Sequence, residues 1–154
     1  MKYKYILFDL DGTLTDPFEG ITKCFKYALD YFGISAKQED LTPVIGPPLI
    51  DSFCNFYGFD EEKGWRAVAK YRERFETVGW QENKLLDSVP EMLADLKNDN
   101  RVLTLATSKP IVYAKKIIEK FDIARYFDYA IGAEIGGKKG TKPEIVEKAL
   151  KTLS

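Results

Sequence analysis

Histidine is absent from the 154 residues of this chain. Without an imidazole the chain has no Ser-His or Cys-His nucleophile and no His-ligated zinc site, so acid–base chemistry has to come from carboxylates or lysines. There are only two cysteines, Cys24 and Cys54, which is too few for a disulfide framework. Both have apolar neighbours, which is typical of small buried side chains.

Long apolar runs and long basic runs are also missing. No run approaches the ~20 apolar residues that a membrane-spanning helix needs, and the start, Met1 to Lys4, has no apolar segment of a secretion signal. The net charge is −1, and no cluster of Lys and Arg indicates nucleic-acid binding. We therefore expect a cytoplasmic protein that binds neither nucleic acid nor membrane. The length suits one domain, or one domain with a small insertion.

The strongest signal in the sequence is an apolar run that ends at two aspartates. Residues Tyr5 to Phe8 suit a strand buried on both faces of a parallel sheet, and Asp9, Asp11 and Gly12 follow at once. Two carboxylates two residues apart on an extended chain point the same way. Such a pair is costly unless a cation lies between the carboxylates or one of them holds a proton. Taken alone, the pattern also fits an acidic turn after an edge strand.

Helical periodicity replaces the strand pattern from Asp16 to Trp80, interrupted by a proline-rich break from Leu41 to Pro48. The apolar faces predicted for the later helices of this segment are Leu49, Phe53 and Phe56, and then Trp65, Val68, Tyr71 and Phe75. Beyond this segment we predict a helix N-capped by Ser88, and two more strands, Val102–Ala106 and Tyr129–Gly132.

The alternation of strands and helices predicts an α/β fold: a Rossmann-like parallel sheet core with an inserted helical segment. The predicted core is residues 1–15 and 81–154, and the predicted insertion is residues 16–80. Ligands of such sheets bind at the carboxyl ends of the strands. Thr107 and Ser108 end the second predicted strand, where their hydroxyl and N–H groups suit a phosphoryl oxygen, although Thr-Ser after a strand is also typical of a helix N-cap.

An apolar strand followed by Asp-x-Asp-Gly-Thr-Leu-x-Asp resembles the first motif of the haloacid dehalogenase-like hydrolases, most of which are magnesium-dependent phosphatases. The resemblance implies that Asp9 is the nucleophile, which forms an aspartyl-phosphate, and that Asp11 is the general acid and base. It also implies that both bind Mg²⁺, Asp11 through its backbone carbonyl as well. Gly12 is expected in the phosphate site beside them.

Two further motifs extend the resemblance along the chain. Leu105 to Pro110 fits the second motif of the family, which makes Thr107 and Ser108 phosphate-binding residues. Lys142, in Gly-Thr-Lys-Pro-Glu, is the best match for the lysine of the third motif, which neutralises the nucleophile and the incoming phosphate. Lys138 and Lys139 are close neighbours of Lys142, and each of these lysines, taken alone, is also typical of a solvated surface.

The inserted segment resembles the helical cap of phosphoglycolate phosphatase-like members. Within it, Ile45, Gly46 and Pro47 resemble a loop that selects the substrate. The resemblance therefore implies a Mg²⁺-dependent phosphatase for a small phosphorylated metabolite similar to phosphoglycolate. The alternatives are a nucleotidase or pyrophosphatase with the same machinery, or a catalytically silent fragment.

The sequence departs from the family at its fourth motif, an acidic pair after a further strand that completes the metal site. No acidic segment of this kind follows Lys142. We therefore expect a core truncated at its C-terminus, with impaired activity and weak binding of Mg²⁺ by Asp9 and Asp11. The strand Tyr5–Phe8 would then be an open sheet edge, through which the chain can associate with itself.

Overall fold

The computed structural model describes residues 3–135 and 140–154. These residues divide into two compact units, one formed by the chain up to Asp16 together with Lys84–Ser154, and the other by Pro17–Asn83. The sequence predicts these boundaries after residues 15 and 80. Among the described residues, no helix has the length and apolar content that crossing a lipid bilayer would require.

In chain order the described strands are β1 (Tyr5–Phe8), β2 (Thr15–Asp16), β3 (Lys84–Leu85), β4 (Val102–Pro110) and β5 (Tyr129–Ala133). The α-helices are α1 (Phe18–Tyr31), α2 (Leu49–Tyr57), α3 (Glu61–Thr77), α4 (Val89–Asn98), α5 (Ile111–Lys120) and α6 (Lys142–Leu153). Short 3₁₀ helices cover Gln38–Val44, Gly79–Gln81 and Ala124–Tyr126.

The first unit is built on a parallel sheet in the order β1-β4-β5. Tyr5 lies opposite Val102, and Thr107 lies opposite Gly132. Helix α6 covers one face, where a buried apolar cluster brings together helix and sheet residues: Ile145, Ala149, Ala106 and Ile131, with Leu7 packed against them. The predicted α/β fold class is confirmed. Because the strands are parallel, the residues that follow β1 and β4 lie at the same edge of the sheet, at the carboxyl ends of the strands.

Strand β1 lies at one end of the three-stranded sheet that the described residues form, which is the edge position predicted for it. The prediction that its residues are buried on both faces is wrong. Tyr5 is 46% exposed, and the other residues of β1 are half-buried. The central position belongs to β4, whose residues Leu103, Thr104 and Leu105 are fully buried. Self-association through the β1 edge stays a prediction.

The second unit is helical, as its periodicity predicts. Two large side chains that were predicted on its apolar helix faces are not buried. Trp65 and Phe56 are about half exposed rather than buried. Gly64 faces α2 instead of Trp65, since a Cβ at position 64 would lie 2.6 Å from the Cδ1 atom of Ile50. The proline-rich break is also only partly irregular, since the 3₁₀ helix Gln38–Val44 runs through Pro43.

Candidate active site

The turn after β1 places Asp9 and Asp11 on a rigid base. The carbonyl of Leu10 accepts hydrogen bonds from the N–H groups of three successive residues, Thr13, Leu14 and Thr15, at 3.2, 2.9 and 3.1 Å. The Leu10 side chain is fully buried. Burial and these bonds together fix the residue between the two aspartates, so the carboxylates on either side of it are held at the end of the sheet.

Gly12 makes this turn possible. Its φ is +76°, in the left-handed region that favours glycine, and its N–H donates to the carbonyl of Thr15 at 2.7 Å. The structure thus gives Gly12 a role in shaping the loop. Binding of phosphate by Gly12 stays a prediction, because this N–H is already used within the turn.

Asp9 forms an ion pair with Lys142, as the sequence resemblance implies. The Nζ atom of Lys142 contacts Oδ2 of Asp9, while Oδ1 accepts from the Leu10 N–H at 2.9 Å. The two residues come from opposite ends of the described chain. A cation on this carboxylate keeps a negative group stable at the place where an anionic ligand would arrive.

The start of α6 positions Lys142. Thr141 and Glu144 form the predicted capping box, and the Glu144 carboxylate also accepts from the Gly140 N–H at 3.0 Å. Gly140 lies directly against the end of β5, because a Cβ on it would be 2.8 Å from the Cβ of Ala133. Lys138 and Lys139, the other lysines of this region, lie outside the described residues.

Asp11 has a lysine partner of its own, which the sequence reasoning did not assign. Lys109 Nζ donates to Oδ2 of Asp11 at 2.7 Å, and the Lys109 side chain is only 7% exposed. The other oxygen of this carboxylate, Oδ1, is buried and has no hydrogen-bond partner. Two aspartates and two lysines thus meet at one sheet edge. The sequence signal for Lys109 is its place directly after Thr107 and Ser108, which is also typical of surface lysines.

Thr107 and Ser108 lie at the end of β4 where the sequence places them. Thr107 is buried, and its Oγ1 accepts from the Lys109 N–H at 3.2 Å, so this hydroxyl shapes the end of the strand. The alternative role as a helix N-cap is not observed, because α5 begins after Pro110. Ser108 is half-buried. The other predicted contacts, Ile45, Gly46 and Pro47, belong to the second unit.

The oxygen donors at this edge fit a hard divalent cation. Within the described part of the chain, no group of three or more His, Cys, Asp or Glu side chains could hold a metal. Two aspartates still match Mg²⁺, which is commonly bound through one or two carboxylates and keeps several waters. Asp9 through its carboxylate and Asp11 through its backbone carbonyl are the residues that would hold it.

Comparisons with known proteins point to one family. The sequence pattern of the haloacid dehalogenase-like hydrolases matches residues 6–154. A 5'-nucleotidase of Pseudomonas aeruginosa is 44% identical over 153 residues, which are 97% of this chain and 68% of that protein. The tyrosine-protein kinase PtkA of Mycobacterium tuberculosis is 36% identical over 149 residues, which are 96% of this chain and 50% of the kinase. The chain therefore spans about two thirds of the nucleotidase and half of the kinase.

A solved structure, described as a predicted phosphatase from Clostridium acetobutylicum, has the same fold. The two chains superpose with a TM-score of 0.93 at 45% sequence identity. The match covers 98% of this chain and 70% of that one.

Proposed function

This chain belongs to the haloacid dehalogenase-like hydrolases, and on that premise we propose that it is a Mg²⁺-dependent phosphatase acting on a small phosphorylated metabolite. The observation that carries the proposal is the Asp9 carboxylate at the carboxyl end of β1, held by the ammonium of Lys142. A carboxylate beside a fixed cation can approach an anionic phosphate and act as a nucleophile.

The proposed reaction has two displacements at phosphorus. In the first, a carboxylate oxygen of Asp9 forms a bond to phosphorus while the ester P–O bond breaks, and Asp11, which enters this step with its carboxyl group protonated, gives that proton to the departing alkoxide oxygen. In the second, water attacks the aspartyl-phosphate and Asp11 takes a proton from it. The Asp9–phosphorus bond breaks, the Asp9 carboxylate is regenerated, and inorganic phosphate leaves.

Three polar residues would hold the phosphoryl group during both steps. Lys142 is well suited, because its side chain is 66% exposed and can contact a ligand while it stays close to Asp9. Ser108 is half-buried at the end of β4, beside the buried Thr107, and backbone N–H groups at a strand end can bind phosphoryl oxygens. A bound Mg²⁺ would neutralise charge on those oxygens and so lower the barrier to attack by an anion.

For the substrate, we propose a small phosphate monoester similar to phosphoglycolate, with Ile45, Gly46 and Pro47 contributing to the choice of leaving group. A nucleoside 5'-monophosphate is the second candidate, favoured by the 44% identity to a 5'-nucleotidase. Both substrates contain a phosphate monoester, so the same Asp9 and Asp11 chemistry serves either.

A panel of phosphate compounds tests this proposal. Purified protein is incubated with 2-phosphoglycolate, nucleoside 5'-monophosphates, pyrophosphate and p-nitrophenyl phosphate, and released phosphate is measured. We expect turnover with Mg²⁺ and its loss when EDTA is added. Preference for phosphoglycolate supports the first substrate class, and preference for a nucleotide supports the second. Absence of turnover on every compound would show a catalytically silent chain and overturn the proposal.

A further inference from the structure

Lys109 is buried to a degree that is unusual for lysine. Its side chain is 7% exposed, whereas that of Lys142 at the same sheet edge is 66% exposed. An ammonium removed from water is costly unless it is paired, and the Asp11 carboxylate at 2.7 Å provides the pairing. Little of Lys109 is left for contact with a ligand, which separates its role from that of Lys142.

The backbone of β4 directs the Lys109 side chain towards Asp11. Thr107 lies opposite Gly132, but the next paired residue is Pro110, opposite Ala133, so the pairing register shifts between them. Two residues of β4, Ser108 and Lys109, lie between these pairs and no residue of β5 does. We call this irregularity of the pairing the bulge, because extra residues of this kind bend a strand and redirect its side chains, often beside active sites. Lys109 is in this bulge, and its side chain meets Asp11.

Three features restrict the backbone of the bulge. The Lys109 N–H donates to Oγ1 of Thr107 at 3.2 Å, and the ring of Pro110 fixes φ at the following residue. On the neighbouring strand, a Cβ added to Gly132 would lie 2.8 Å from the Lys109 carbonyl oxygen. Only glycine at position 132 allows the backbones of β4 and β5 to lie this close together. The backbone of Lys109, from which its side chain extends, is therefore held in place.

The hydrogen bonds of the turn hold the backbone around Asp11, but its side chain is 23% exposed and is followed by the exposed residues Gly12 and Thr13. An aspartate carboxyl can rotate about its side-chain bonds, and general acid–base catalysis requires it to be within hydrogen-bond reach of the reacting oxygen. The hydrogen bond from the Lys109 ammonium to Oδ2 restricts rotation about the side-chain bonds of Asp11.

We propose that Lys109 is a positioning residue that fixes the carboxyl group of Asp11 for proton transfer and does not bind the phosphate itself. The proposal rests on the proposed function and extends it, because it gives the general acid and base a dedicated partner. Asp9 and Lys142 would form the phosphate-binding pair, while Asp11 and Lys109 form the proton-transfer pair.

The test compares Lys109→Met with Lys142→Met and with Lys151→Met, a surface lysine on the same helix as Lys142. Lys109→Met should lower kcat by about 10- to 100-fold with little change in KM, because acid–base catalysis contributes about 10²- to 10⁴-fold and is only partly lost when the group is misplaced. Lys109→Gln, which keeps an N–H donor, should retain more activity. Lys151→Met should behave as the wild type, and melting curves identify variants that fail to fold.

Two further measurements separate positioning from phosphate binding. In an Asp11→Asn background, Lys109→Met should have no additional effect on kcat, because the two residues act as a unit. Binding of inorganic phosphate, measured by calorimetry and needing no turnover, should weaken about tenfold or more in Lys142→Met, the loss expected for a charge-assisted hydrogen bond, and by less than about twofold in Lys109→Met.

Equal loss of phosphate affinity in the two lysine variants, or a Lys109→Met effect that multiplies with that of Asp11→Asn, would overturn the proposal. If the wild type turns over and Lys109→Met keeps full kcat, the proposal alone fails. If the wild type shows no turnover on any ester, the proposed function fails and this proposal falls with it.

Discussion

Two clusters of four charged side chains, each with two acids and two bases, occupy the two units of this chain. The active-site cluster lies in the first unit: Asp9, Asp11, Lys109 and Lys142. The structural cluster lies in the second: Glu19, Lys23, Arg74 and Glu82. Each cluster has a formal charge of zero. The two clusters differ in how completely their polar atoms are paired.

In the structural cluster, one carboxylate is bound from several sides. Arg74 donates to Oε2 of Glu82 at 2.7 Å and to Oε1 at 3.1 Å, and Lys23 donates to Oε1 at 3.2 Å. The hydrogen bond from Arg74, and to a lesser extent the one from Lys23, holds the pKa of Glu82 below its usual range although burial opposes this. Bidentate pairing with arginine is among the stronger arrangements for a carboxylate.

The active-site cluster is less complete. Oδ1 of Asp11 is buried without a hydrogen-bond partner, and Lys142 is largely exposed. A buried oxygen left without a partner costs stability. The same charges thus satisfy one another in the structural cluster and are incompletely paired in the other, as is expected of groups that bind a ligand.

The largest effect is expected from the nucleophile. Asp9→Asn keeps the shape of the side chain and removes the attacking charge, so phosphate release should fall by about 10³-fold or more with no loss of thermal stability. The matched control is Glu19→Gln in the structural cluster, which should leave turnover unchanged. Near-wild-type turnover by Asp9→Asn would show that the active-site cluster is not catalytic.

The structural cluster should give the opposite result. Glu82→Gln leaves Arg74 without its charged partner, so urea denaturation should show a free energy of unfolding lower by about 1–3 kcal/mol, while kcat of the folded protein is retained. Glu147→Gln, which removes an exposed pair with Lys151, should change stability by less than about 0.5 kcal/mol. If Glu82→Gln lost kcat without losing stability, the assignment of a purely structural role to its cluster would be wrong.

A third test asks whether the second unit contributes more than stability. If Ile45 helps to select the leaving group, Ile45→Ala should change the ratio of kcat/KM between phosphoglycolate and a nucleotide by about tenfold, the size of a small change in apolar contact. Hydrolysis of p-nitrophenyl phosphate should be spared. Lys142→Met is the control, because it should weaken all esters alike. Equal losses on every substrate in Ile45→Ala would limit the second unit to a structural role.

The smallest effect concerns pH. The folded state lowers the pKa of Glu82, so its pairing contributes stability above the pKa of the unfolded chain and loses that contribution as pH falls through the folded-state pKa. The difference in urea midpoint between wild type and Glu82→Gln should therefore shrink as the pH is lowered from 7 towards 3. A difference that grows on acidification would contradict the assigned pairing.

The sequence predicts the elements that carry their own periodicity. Strands β1, β4 and β5 begin at the predicted residues and the capping box of α6 is observed, because apolar runs and cap residues are local signals. Strand β4 continues to Pro110 and β5 to Ala133, beyond the predicted ends. The short ladder between β2 and β3 was missed, since two residues per strand leave no pattern. Ser88 is the N-cap residue of α4, as predicted, but its φ is +61° and its side chain makes no capping hydrogen bond.

Three of the four residues of the active-site cluster are predictable from the sequence and the fourth is not, for a related reason. Asp9, Asp11 and Lys142 are recognisable by residue type and spacing. Lys109 follows a strand in the sequence like many surface lysines, and its burial results from the bulge in β4 and the close approach of Gly132. Neither of these long-range features leaves a mark in the local sequence.

The pairing of β1 with β4 also sets an order of events during synthesis. Tyr5 finds its partner, Val102, only after the whole of the second unit has been made. Chains fold domain by domain from the N-terminus as they leave the ribosome, and local helical contacts form faster than distant strand pairs. The helical unit should therefore be folded while β1, with Asp9 beside it, is still without its sheet. If Asp9 is the nucleophile that we propose, catalytic competence is acquired late, because a nascent chain that stops before β4 contains Asp9 but has no sheet to hold it.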